Sequence, residues 1–75
     1  MSRLPQVRPR EMIAALERAG FVVVRVRSSH HFFRHPDDPT RWATVPMHKG
    51  DLRNDTVRDI LKQTKLSRDE FLKLL

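Results

Sequence analysis

The run FVVVRVRSSHHFFRHP, residues 21–36, decides the fold. Its first seven residues are rich in β-branched side chains. Strict alternation puts Val22, Val24 and Val26 on one side and Phe21, Val23, Arg25 and Arg27 on the other. Ser28 and Ser29 read as a short turn, after which residues 30–35 return as a second strand. Successive strand side chains point to opposite faces, so His30, Phe32 and Arg34 share one side and His31, Phe33 and His35 share the other.

Outward from this hairpin the period becomes helical. Met12, Ile13, Leu16 and Ala19 recur at helical spacing over residues 9–19, with Arg10, Glu11, Glu17 and Arg18 on the other face. Pro9 suits the first helical position, Val7 and Met12 can staple the entry, and Gly20 suits a left-handed stop, whereas Arg8 is a poor cap. Downstream, PDDPT reads as a turn and residues 41–47 as a third strand, with Pro46 near its end, where a missing donor is tolerated at a sheet edge. Beyond the polar loop HKGDLRND, Val57, Ile60, Leu61 and Thr64 mark a second helix with Asn54 or Asp55 as its cap. Ser67 with Glu70 forms a capping box and Leu66 with Phe71 a staple, so a last short helix runs over residues 68–75.

Strands joined by short turns pair antiparallel. The expected class is therefore α+β, a three-stranded antiparallel sheet with the helices on one face and the other face left open. The chain reads as one domain over residues 1–75, with residues 1–8 as a flexible lead-in and no repeat or linker to divide it.

A chain of 75 residues buries only about 60% of the surface its unfolded form exposes. A deep enclosed cavity does not fit in it, and an open surface suits a polymer better than a small metabolite. Lys and Arg number 15 against 9 Asp and Glu, a formal charge of +6, which makes nucleic acid the first partner to consider. A soluble basic surface, or a match to an acidic protein, gives the same composition. Without cysteine there is no disulfide, thiolate zinc set or thiol nucleophile. MSRLPQVRPRE lacks the apolar run of a signal peptide, and no segment approaches the ~18 apolar residues of a membrane span. The expected location is the cytoplasm, with no membrane association.

Three of the four histidines fall within residues 30–35. On a strand they cannot all converge, and His31 with His35 lacks the helical spacing that makes two histidines a good chelate, so neither a metal site nor a cofactor is expected. For His31 and His35 the structural role is favoured, each facing helices and bonding backbone. His30 starts its strand after two serines, where its ring can reach solvent and Arg25, Arg27 and Arg34 can gather around a phosphate. An imidazole among guanidinium groups is sufficient to cleave RNA without metal, by moving the ribose 2′-hydroxyl proton while cations stabilise the phosphorane. Phe32 and Trp42 can stack on unpaired bases, although core packing is favoured for each because large rings dominate small cores.

The segments ALERAGF, SHHFFRHP, VPMHKGDL, and TVRDILKQ followed by LSRDEFLKLL, in this order and spacing, resemble the HicA-type toxins of the YcfA family. The resemblance runs from Glu11 to the C-terminus. It implies a fold similar to the double-stranded-RNA-binding domain, with α-β-β-β-α order, an activity as a metal-independent endoribonuclease that cleaves mRNA, and neutralisation by a HicB antitoxin. It places the catalytic histidine of a Gly-Ser-His or Gly-Gly-His motif at His30, with Ser28 where the family has its first glycine. Around it Arg25, Arg27, Ser29, Arg34 and Lys49 are the expected RNA contacts. The second proton-transfer group stays open between His31, His48 and water. Two rivals remain: an RNA-binding module of the same fold without chemistry, and a DNA-binding protein using the helix around residues 57–64.

Overall fold

The computed structural model describes residues 4–75. Their order is α1 (Pro9–Arg18), β1 (Val22–Arg27), β2 (His30–His35), β3 (Asp38–Pro46), α2 (Asn54–Thr64) and α3 (Arg68–Leu74). The three strands form one antiparallel sheet in the order β1-β2-β3, the α+β arrangement that the hairpin and its flanking helices predict.

Arg8 offers α1 no capping side chain, and Glu11 compensates by accepting the Arg8 N–H at 2.9 Å. At the other end Gly20 takes a φ of 93°, and the Phe21 N–H reaches back to the Leu16 carbonyl at 2.9 Å, closing the helix in a Schellman motif. A methyl group at Gly20 would sit 3.1 Å from His35 Nε2, so space as well as φ favours glycine there. In the expected flexible lead-in, residues 1–3 lie outside the described residues. Val7 is buried in the core, and its carbonyl accepts the Leu52 N–H at 2.7 Å.

Strict alternation along β1 does not hold. The register steps between Val23 and Arg25, leaving Val24 without a partner: Val23 pairs with Phe33, Arg25 with Phe32, and Arg27 with His30. This bulge changes the phase. Phe21, just before β1, and Val23 turn to the helix side while Arg25 and Arg27 stay on the open side with His30, so a buried Phe21 leads directly into a strand with exposed arginines. β1 adds no side chain to the core, and Val22, Val23, Val24 and Val26 are each about half exposed. β3 begins earlier than expected, at Asp38 within the PDDPT turn, because Asp38 pairs with His35 and its carboxylate accepts both the N–H and the hydroxyl of Thr40.

The core lies between the sheet and the helices. It joins Met12 and Leu16 of α1, Phe33 of β2, Val45 of β3, Ile60 of α2 and Phe71 of α3. The cap of α2 is Arg53 rather than Asn54 or Asp55: its carbonyl accepts the Val57 N–H at 3.0 Å, while Asp55 lies in the first turn, where the helix dipole favours a carboxylate. α3 starts as predicted. Ser67 Oγ accepts the Glu70 N–H at 3.1 Å and Glu70 Oε1 accepts the Ser67 N–H at 2.9 Å.

Hydrogen bonds to the carboxyl from Ser67, from its backbone first and its side chain second, hold the Glu70 carboxyl below the usual carboxylate range. A depressed folded-state pKa contributes stability that is present above the unfolded value and disappears as pH falls through the folded one. Asp38 acts in the same sense through the bonds from Thr40. Stability is therefore expected to fall as pH drops below about 4, and Glu70→Gln to remove part of that fall. Urea midpoints measured at several pH values check this, and an unchanged acid slope in Glu70→Gln rejects the capping role of the charge.

Candidate functional site

β2 is the central strand, and regular pairing fixes its two faces. His30, Phe32 and Arg34 lie on the open side, opposite Arg27, Arg25 and Val22 of β1 and Pro46, Thr44 and Trp42 of β3. The sheet thus brings together Arg25, Arg27, His30 and Arg34 on one exposed face. Arg27 is the direct cross-strand neighbour of His30. Arg34 stands four residues further along β2, about 13 Å away at the strand rise of ~3.3 Å per residue.

The two aromatic residues depart from expectation. Phe32 and Trp42 are not core residues: both project from the open face, Trp42 at 45% exposure, and Phe33 is the ring that enters the core. On the helix side, His35 Nδ1 accepts the Asp37 N–H at 3.2 Å and its ring meets Phe21 edge-on at 5.1 Å. His35 is a structural residue. His31 is half-buried on that side, with its Nδ1 buried and unpartnered, away from the face that carries His30. Among the described residues no group of three or more His, Asp or Glu is placed to hold a metal ion.

His30 follows a two-residue turn with a positive φ at its first position. Ser28 has a φ of 53°, the sign that a type II′ hairpin turn demands and that glycine adopts freely. The serine keeps the turn at a conformational cost of about 1–2 kcal/mol. Glycine would return about 0.5–1 kcal/mol of that through its freer unfolded state. Ser28→Gly is expected to raise stability by up to about 1 kcal/mol, read as a higher urea midpoint; a lower midpoint shows that the turn is unstrained.

Ser29 is exposed, and its carbonyl accepts the Met47 N–H, which ties the turn to the chain leaving β3. Past that bond the loop continues through His48 and Lys49. Lys49 does not lie on the strand face. It lines a cleft of about 640 Å³ together with Arg8, Pro9, Arg10, Met47 and His48. The hydrogen bond from Leu52 to Val7 holds the two walls of this cleft side by side. Arg8 and Arg10 escaped the sequence reading because only this long-range contact brings them to Lys49; the pair of arginines flanking Pro9 was the available signal.

Basic residues elsewhere have structural work. Arg41 donates from Nε to the Thr64 carbonyl at 2.6 Å and covers the Phe21 ring at 5.3 Å, and Arg18 bonds the Leu74 carbonyl. Among the described residues the ion pairs are Arg53–Asp55 and Arg68–Asp69, and Arg25, Arg27, Arg34 and Lys49 are in neither of them.

Fold and site together define a small basic α+β protein whose sheet keeps one face, with His30 and its arginines, exposed. The model of one family, described as HicA toxin of bacterial toxin-antitoxin, matches residues 9–66, and the chain belongs to that family. It is the toxin of a toxin–antitoxin pair and has an antitoxin as partner. A search of curated proteins found no match. No helix among the described residues is long and apolar enough to cross a membrane.

Proposed function

We propose that the chain is a metal-independent endoribonuclease that cleaves mRNA in the cytoplasm and so arrests translation, with His30 as general base or acid. The observation that carries this reading is the exposed His30 at the head of β2, directly opposite Arg27 on the open sheet face. A base takes the proton of a ribose 2′-hydroxyl, the freed oxygen bonds to the adjacent phosphorus, the bond to the 5′-oxygen breaks, and an acid returns a proton to that oxygen. Arg27 supports the negative charge of the phosphorane, while Arg25, Arg34, Ser29 and Lys49 hold flanking parts of the strand. Phe32 and Trp42 give unpaired bases two surfaces to stack on.

The antitoxin in this reading is a HicB-type protein that silences the toxin by covering His30 and its arginines with complementary charge. Val22, about half exposed, stands opposite Arg34 on the same face, so such a partner also removes apolar area from water. Retained cleavage in a saturated toxin–antitoxin complex counts against occlusion.

The decisive experiment compares a ribose substrate with one carrying deoxyribose at the cleaved position, both with chelator present. Cleavage confined to the ribose strand is expected. Cleavage of the deoxy strand excludes attack by a 2′-hydroxyl, and RNA binding without any cleavage leaves a binding module of the same fold.

A further inference from the structure

Of the cleft between the start of α1 and the loop after β3, the mechanism above uses Lys49 alone, yet its wall continues from the strand partner of His30. His30 pairs with Pro46, and the next residue, Met47, donates its N–H to Ser29 and forms part of the cleft wall. Two residues beyond Pro46 comes His48, within about 7 Å of chain from the strand partner of His30. The chain that leaves the strand partner of His30 therefore forms one wall of this opening.

The lining is cationic. Arg8 and Arg10 stand on one wall and His48 and Lys49 on the other, with Met47 and Pro9 as the apolar parts. The Glu11 carboxylate nearby is occupied by the Arg8 N–H. His48 Nδ1 lies 3.0 Å from the Lys49 carbonyl. A carbonyl oxygen only accepts, so Nδ1 carries the proton and Nε2 is the nitrogen left for a ligand.

We propose that this cleft is a second phosphate subsite, which seats a phosphodiester of the same single RNA strand next to the one that meets His30. Arg8, Arg10 and Lys49 hold its oxygens by donating to them, and His48 lines the wall beside Lys49. The inference rests on the ribonuclease reading, and its test keeps the two apart.

The protein carrying His30→Ala is titrated with a short labelled single-stranded RNA over a range of salt. One set of variants adds Arg8→Gln, Arg10→Gln and Lys49→Gln; a control set adds Arg58→Gln, Lys62→Gln and Lys73→Gln, an equal loss of charge on exposed helix positions. The cleft side chains are exposed, and Arg8 caps through its backbone, so folding is retained. Each lost phosphate contact flattens the log–log salt dependence by about 0.7 for a single strand. The cleft set is expected to lose affinity and to flatten the slope by about 2, while the control set keeps the parental slope. Equal flattening in both sets overturns the subsite in favour of diffuse attraction. Unchanged RNA binding in the cleft set also overturns it, and loss of binding to the co-purified antitoxin by that same set reassigns the cleft to protein. Absence of RNA binding by the parent, with no cleavage by the wild type, instead overturns the ribonuclease reading itself.

Discussion

His30→Ala is expected to slow RNA cleavage by about 10²–10⁴-fold, the share that a positioned proton-transfer group supplies. The fold should be unaffected. His30 is exposed at the first position of β2, and surface substitutions away from caps and cores usually change stability by less than about 0.5 kcal/mol. Binding should also persist, because Arg25 and Arg27 remain on the same face. The informative control is His35→Ala. That ring packs on Phe21 and bonds Asp37, so its loss should lower the unfolding midpoint without touching chemistry in the molecules that stay folded. Cleavage by folded His30→Ala at the wild-type rate removes His30 from the mechanism.

How far this site could be read in advance varied along the hairpin. HHFFRH alternates between chemically different side chains, so its phase is visible, and as the central strand it pairs regularly on both sides. VVVRVR offers no such contrast. Three successive valines fit either face, and nothing local marks Val24 as the extra residue; the bulge follows from Phe21 having to enter the core while Arg27 stands opposite His30. Phe32 and Trp42 were misplaced for a related reason. Ring burial is a matter of average, whereas facing is set by pairing, and Phe33 already fills the core position. At α2, two good capping types follow an arginine, and the chain enters the helix one residue before either of them. Local pattern therefore carried the elements, and the open face followed from β2. The cleft did not, since Arg8 and Lys49 meet only through the bond that joins Val7 to Leu52.

Phe71→Ala is expected to cost about 3–5 kcal/mol, the usual penalty for emptying a fully buried phenylalanine site. Phe71 has no exposed surface, and α3, seven residues long, is too short to hold its own conformation in water. Its capping box fixes where the helix starts, the Arg18 bond to the Leu74 carbonyl ties its end to α1, and the buried ring supplies the packing that holds it down. A chain of 75 residues has a total stability of roughly 4–11 kcal/mol at ~0.05–0.15 kcal/mol per residue. One substitution far from the open face thus removes a large part of the whole. Leu72, the next residue, is 39% exposed, and Leu72→Ala should cost less than about 1 kcal/mol. Urea unfolding of both variants separates the cases: a large midpoint shift with unchanged slope for Phe71→Ala places α3 within the cooperative core. A shift no greater than that of Leu72→Ala shows instead that the helix docks on a core already complete without it.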